Sequence, residues 1–277
     1  MNLSQLAGIF SLASVQRALV CGVLLSLCAA LLGVVLVQKR YALIGHGLSD
    51  VSFASVALSL ALGLPPLTVS VPVVVAAAFI IMYISQRKGA HGDVVIGMLA
   101  TSSLAAGIII TAMSTGFNTD VYGYMFGSIV AVGKSDLWLS IGLTAIIVTA
   151  FILFYNRLFM VTYDETYAAA CGVKTQIYQL LLSLLTALTV VLCMKLMGTL
   201  LISALIIFPT VTARKIAGSF KSLVITASVV SVVCFLVGMV LSAAFSLPTG
   251  ASIVGVNLIA FAVLSVVGKL SQKKIQG

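Results

Sequence analysis

The sequence predicts an all-α, polytopic transmembrane helical protein with about nine spans, in a range of eight to ten. Three observations carry this expectation. Of 277 residues, 61% are hydrophobic and only 8% are charged, where a soluble domain carries about 25% charged residues. Apolar runs of about 20 residues, the length that crosses a bilayer as a helix, follow one another along the chain. The basic residues fall in the short gaps between those runs, and nearly all of them on alternate gaps.

Taken in order, the N-terminus has no charged n-region, so a cleaved signal peptide is not expected. Leu3, Leu6, Phe10 and Ala13 recur at helical spacing. Residues 3–14 therefore read as an interfacial helix leading into the first span. The spans are expected at 15–37, 42–63, 67–85, 93–113, 137–155, 177–196, 198–213, 222–245 and 250–268. Between 114 and 136 the chain is glycine-rich and partly apolar, including Tyr122-Gly123-Tyr124-Met125-Phe126-Gly127-Ser128. That stretch reads as a re-entrant or half-helical segment, which needs burial in protein at membrane depth. The whole of 1–277 is expected to be one permeation domain, with 15–268 embedded and 156–176 forming the longest charged connector.

Charge sets the orientation. Lys39/Arg40, Arg87/Lys88, Arg157/Lys174, Arg214/Lys215/Lys221 and Lys269/Lys273/Lys274 fall on one side; Arg17, Lys134 and Lys195 fall toward the other. Positive residues gather on the cytoplasmic side, so the N-terminus is expected outside and the C-terminus inside. The net charge of +9 is thus a topology signal, and no nucleic-acid partner is expected. The five cysteines form no CxxC pair, which excludes a zinc ribbon and gives no disulfide framework. Each is expected as a small buried hydrophobe.

Several motifs bear on function. Gly127-Ser128-Ile129-Val130-Ala131-Val132-Gly133-Lys134-Ser135 looks like a phosphate-binding loop, but five residues separate its glycines where that motif needs four. No nucleotide site is expected, so any ATPase must be another chain. His46 and Asp50 lie four residues apart in the second span. They share one helix face, about 6 Å apart along the axis, and are expected near mid-membrane. An ionisable residue inside a membrane is costly and is usually kept for function. Imidazole with carboxylate suits a divalent transition metal; a hydrogen-bonded pin between helices is the alternative. Gly45, Gly47, Ser49, Ser52, Ala54, Ser55 and Ala57 leave room for an ion and allow close helix contact. Asp93 stands at the start of the fourth span, where a carboxylate caps a helix. In the 156–176 connector, Asp164 and Glu165 open a short helix-forming run through Ala169, and Gly172 is placed to cap its end. A solvated connector is the plain alternative to a docking helix there. The seventh run, Met197–Arg214, is short for a span. Gly198 at its start and Pro209 late in it predict a broken helix lining a cavity, with Ser203 and Arg214 on the same segment.

At these residues the chain resembles the membrane permeases of ABC transporters that import zinc, manganese or iron. The likeness runs from Gln16-Arg17-Ala18-Leu19 to about Lys269. It rests on the Lys39–Val51 segment, Asp93 with Ile96-Gly97, Phe126-Gly127-Ser128-Ile129 followed by Asp136, the Tyr163–Gly172 loop, Met197–Arg214 and Ser246–Ser252. The resemblance implies a BtuC-like ABC importer permease fold in a bacterial cytoplasmic membrane, and a homodimer with the path at its centre. It implies ATPase subunits docked under Tyr163, Asp164, Glu165, Ala169 and Gly172, and an extracytoplasmic metal-binding protein as donor. The cargo would be Zn2+ or Mn2+, with Fe2+ a third choice, and no cofactor would be held permanently. His46 and Asp50 would lie on the metal path with Asp93 as a further contributor, and Gly198, Ser203, Pro209 and Arg214 would belong to a gate segment. One departure stands out: the usual family order is Asp then His, and here the two are exchanged. A secondary metal carrier without an ATPase is the competing class, but it would show inverted repeats, and no internal repeat is clear. An intramembrane hydrolase would need HExxH or a nucleophile pattern, and neither occurs.

The charge pattern makes the topology testable. A reporter fused after Lys274 is expected to read cytoplasmic, and one near Asp120 external. Cytoplasmic signal at both positions would require an odd error in the number of spans between them.

Overall fold

The computed structural model describes residues 13–85, 92–113, 133–245 and 247–276. Eleven helices and no strand occur among the described residues. They are α1 (Ala13–Gln38), α2 (Ile44–Ala61), α3 (Pro66–Ser85), α4 (Gly92–Met113), α5 (Lys134–Leu153), α6 (Tyr155–Tyr163), α7 (Glu165–Ala170), α8 (Thr175–Met197), α9 (Thr199–Arg214), α10 (Phe220–Phe245) and α11 (Thr249–Gln276). Eight are long and apolar enough to cross a membrane; α6 and α7 are short, and α9 has 16 residues. The expected interfacial helix at 3–14 falls almost wholly outside the described residues, as do the 122–128 stretch and Ser246.

The bundle is built around α1. It packs against α5, α8, α9 and α10, and α2 packs against α3, α4, α8 and α9. Small residues permit this crowding, because helices in lipid gain their contact energy from close approach of backbones. At Gly33 of α1, a Cβ would collide with the carbonyl oxygen of Ile206 in α9. At Gly45 of α2, a Cβ would meet the Cδ1 of the same Ile206 at 2.6 Å. Ile206 is thus wedged between two glycines on two helices. Polar groups bind across the helices as well: Ser231 Oγ of α10 donates to the Ser26 carbonyl at 2.9 Å, and Cys28 Sγ of α1 to Thr144 Oγ1 of α5 at 3.2 Å.

Three differences from the sequence expectation have physical causes. Residues 156–176 are mostly helical, and α6 was not foreseen. Its Tyr155, Phe159 and Tyr163 recur every fourth residue and stack on Phe220 at ring-centroid distances of 5.6, 5.4 and 5.9 Å. Preceded directly by an apolar span, this aromatic stripe reads in sequence as the end of that span. Second, α9 continues unbroken through Pro209. The break lies instead at Gly198, whose φ of +86° ends α8 and starts α9. Only glycine adopts such a backbone without strain. Membrane helices tolerate an internal proline when neighbouring groups satisfy the backbone, and Pro209 and the following Thr210 are buried. Third, four cysteines are buried, but Cys171 is exposed. It ends the six-residue α7, where the chain turns through Gly172 at φ +80°.

The glycine wedge yields a stability test. Gly33→Ala is expected to cost about 1–3 kcal/mol, the usual range for overpacking, because the obstructing atom is backbone. Gly142→Ala on α5, where a Cβ meets nothing within 4 Å, should leave thermal stability in detergent unchanged. Equal melting temperatures for the two variants would contradict the close α1–α9 contact.

Candidate metal-path site

The first two turns of α2 carry the site. His46 Nε2 lies 3.7 Å from Asp50 Oδ2, the two separated by one helical turn. Asp50 is buried, whereas the His46 side chain is 55% exposed. The pair stands in the first two turns of α2, toward the end that follows Lys39 and Arg40. Ser49 Oγ bonds to the His46 carbonyl at 2.7 Å, and Gly47 admits Ile96 of α4. The small residues are therefore used for close helix contact, while the imidazole faces open space.

A third group joins them. Ser203 Oγ of α9 lies 3.4 Å from His46 Nδ1. Sequence reading placed Ser203 in a gate segment and gave no reason to set it beside the histidine, 157 residues away. With the Nδ1 proton directed to Ser203, the Nε2 lone pair is free on the side facing Asp50. A ligating histidine ordinarily has its second nitrogen held in this manner. No group of three or more His, Cys, Asp or Glu occurs among the described residues. An imidazole, a carboxylate and a hydroxyl alone fall short of the four ligands of a closed structural metal site.

The remaining expected residues separate into groups. No hydrogen bond or ion pair joins Pro209 or Arg214 to the pair among the described residues; Arg214 is exposed in the last turn of α9. Asp93 is the second residue of α4, and its side chain lies outside the described residues. Tyr163 and Glu165 reach the α1–α2 turn. Gln38 Nε2 donates to Tyr163 OH at 2.9 Å, and Lys39 Nζ to Glu165 Oε2 at 3.4 Å. Gln179 of α8 also donates to Glu165. Asp164 caps α7 by accepting from the Tyr167 N–H at 2.9 Å. Ala168 is buried beneath α7, and Ala169 is exposed on it. Burial holds the Lys39 ammonium below its usual range, and the Glu165 charge opposes that shift.

One strong pair escaped the sequence reading. Lys195 Nζ of α8 lies 2.6 Å from Asp136 Oδ1 of α5, and Asp136 Oδ2 accepts from the Gly133 N–H at 3.0 Å. A signal existed: a lone lysine near the end of an apolar span requires a counter-charge, and Asp136 lies two residues after Lys134, which reads on the same side.

A helical bundle of membrane-spanning length with an imidazole–carboxylate pair on one inner helix defines a polytopic membrane protein. Residues 11–268 match the model of the ABC 3 transport family, and the chain belongs to that family. It is 30% identical over 248 residues to the manganese import system permease protein ScaB of Streptococcus gordonii, covering 90% of this chain and 89% of that one. It is 32% identical over 238 residues to the high-affinity zinc uptake system membrane protein ZnuB of Haemophilus influenzae, covering 86% and 91%. Its fold superposes on PsaBC from Streptococcus pneumoniae, solved in complex with Fab, with a TM-score of 0.83, 29% identity and 95% coverage of both chains. An inward-facing putative metal-chelate type ABC transporter shares the fold at a TM-score of 0.74 and 19% identity, over 90% of this chain and 84% of that one. The chain is the permease subunit of a metal ABC importer and a multi-pass membrane protein; ATP hydrolysis belongs to a separate subunit. The secondary-carrier and hydrolase readings are set aside.

The cap gives a local test. Asp164→Ala is expected to cost about 1 kcal/mol of local helix stability and to raise amide exchange across α7, with α8 unaffected. Unchanged exchange at Tyr167 would remove the cap assignment.

Proposed function

We propose that this permease carries Mn2+ or Zn2+, with Fe2+ a third candidate, past His46 and Asp50 in a central path between two copies of the chain. The observation that carries this reading is the half-exposed imidazole, held on one side by Ser203 and facing a buried carboxylate on the other. Imidazole, carboxylate and hydroxyl are donors for borderline and hard divalent ions, and no cysteine completes a metal-holding group with them among the described residues. The relatives' names divide between manganese and zinc, which supports the same pair of metals. A second copy facing the first would supply a second His46 and Asp50 and complete a transient shell. Asp93 is a further contributor to the path, and Gly198, where the chain breaks between α8 and α9, is the flexible point of the gate segment.

In this reading the whole of 1–277 is one permease domain with 15–268 in the bacterial cytoplasmic membrane. The N-terminus lies outside, the C-terminus lies inside, and an extracytoplasmic binding protein delivers the metal. The 156–176 segment lies at the cytoplasmic face, where the ATPase subunits press on α7. The contacts explain how a push there reaches the metal. Glu165 and Tyr163 hold Lys39 and Gln38, and the chain runs from those residues through one tight turn into His46. Glu165→Gln is therefore expected to lower metal uptake per ATP hydrolysed, with the ATPase still bound.

Radiometal uptake in cells lacking their own importer tests the path. Asp50→Asn keeps shape but removes the charge that offsets the ion, and uptake should fall at least about tenfold, equivalent to 1.4 kcal/mol. His46→Ala should fall nearly as far. Ser203→Ala should weaken uptake less, since it removes only the orienting contact. Exchanging the pair by His46→Asp with Asp50→His should retain measurable transport and change metal preference. Full uptake by Asp50→Asn at matched expression would leave the pair as a structural contact between helices.

A further inference from the structure

A cavity of about 500 Å³ opens between α6, the turn after α7 and the first turns of α8. Arg157, Met160, Cys171, Lys174, Ile177 and Tyr178 line it, and its charged residues are both cations. Arg157 Nη1 donates to Tyr178 OH at 2.8 Å, and Tyr178 is buried. The guanidinium is therefore fixed in place with most of its N–H donors unspent. Lys174 has no ion-pair or hydrogen-bond partner for its ammonium among the described residues. Aliphatic surface continues from the cavity along α8, where Ile177, which lines the cavity, and Leu180 are 56% and 48% exposed. The Phe154–Tyr178 ring contact, with centroids 5.6 Å apart, joins α5 to α8 at this level.

Cations at the end of a span, bordered on the membrane side by bare aliphatic surface, match the two halves of a phospholipid. Basic pockets between membrane helices take anionic headgroups in this manner. We propose that the cavity binds the phosphate of an anionic membrane phospholipid at Arg157 and Lys174, with its first methylenes along Ile177 and Leu180. Bound there, the lipid braces α6 against the start of α8 and so steadies the turn that carries α7. The site is separate from the metal path, and its occupancy does not depend on which ion is carried.

Cys171 supplies the reporter, because it lines the cavity and the other four cysteines are buried. The full chain is placed in nanodiscs of phosphatidylcholine, with or without phosphatidylglycerol, both alone and with its ATPase subunit. The rate of alkylation by neutral N-ethylmaleimide is then measured. Phosphatidylglycerol is expected to slow Cys171 alkylation several-fold, and native mass spectrometry should show it retained over phosphatidylcholine. The lipid's surface potential acts equally on all variants, so the variants isolate the site. Arg157→Gln and Lys174→Gln should each shrink the ratio of rates between the two membranes and the selective retention. Lys174→Gln breaks no contact among the described residues, so its result does not turn on folding. Equal alkylation in both membranes would overturn the proposal, as would full selectivity in the double variant. Protection that appears only with the ATPase subunit, whatever the lipid, would assign the cavity to that subunit instead.

Discussion

Ile206 of α9 occupies the space left by two glycines, Gly33 of α1 and Gly45 of α2, and the position of the His46–Asp50 pair follows from that junction. In lipid, apolar side chains gain nothing by leaving the solvent, so helices associate where backbones can approach and dispersion contacts accumulate. Gly33 lets the α9 carbonyl come directly against α1. Gly45 then receives the tip of the same isoleucine. Ser203 is three residues from Ile206 and His46 is the neighbour of Gly45, so the hydroxyl reaches the imidazole as a consequence of the wedge. A looser α1–α9 contact would move Ser203 away from a distance of 3.4 Å that has little reserve.

A second constraint shapes the ends of the bundle. Charges near hydrocarbon need partners, and each end holds one. Asp136 and Lys195 join α5 to α8 just before the break at Gly198, while Lys39 and Glu165 join the α1–α2 turn to α7. The two pairs differ in character. The Asp136 carboxylate is buried and also caps the start of α5 through the Gly133 N–H, so it holds geometry. The Glu165 contact is longer and half-open, and Glu165 is shared with Gln179. A contact of that kind can transmit displacement without locking it. In the proposed coupling, the α7 end would move while the other end keeps register.

In the proposed path, His46, Asp50 and Ser203 would orient an ion with few bonds, where a full tetrahedral set would hold it too firmly to release. The exchanged order of His46 and Asp50 has a structural meaning here. The histidine occupies the more exposed first turn and the carboxylate the buried second turn; in the proposed path the imidazole would meet the ion from the open side.

The sequence alone determined the class of fold, the approximate limits of the spans and the positions of His46 and Asp50 on one face. These depend on local periodicity, on the length needed to cross hydrocarbon, and on the i,i+4 geometry of a single helix. It also determined that α7 starts at Asp164 and ends before Gly172, because caps are written in residues adjacent to the helix. Tertiary structure alone decided what those residues meet. Ser203 beside His46, Lys195 beside Asp136 and Lys39 beside Glu165 each join segments 59 to 157 residues apart in the chain. Such pairings depend on which helix faces fit at close range, and that depends on volumes such as those at Gly33 and Gly45. Pro209 shows the same limit: its local chemistry argues for a break, but the surrounding bundle keeps α9 continuous and moves the break to Gly198, where a positive φ costs least.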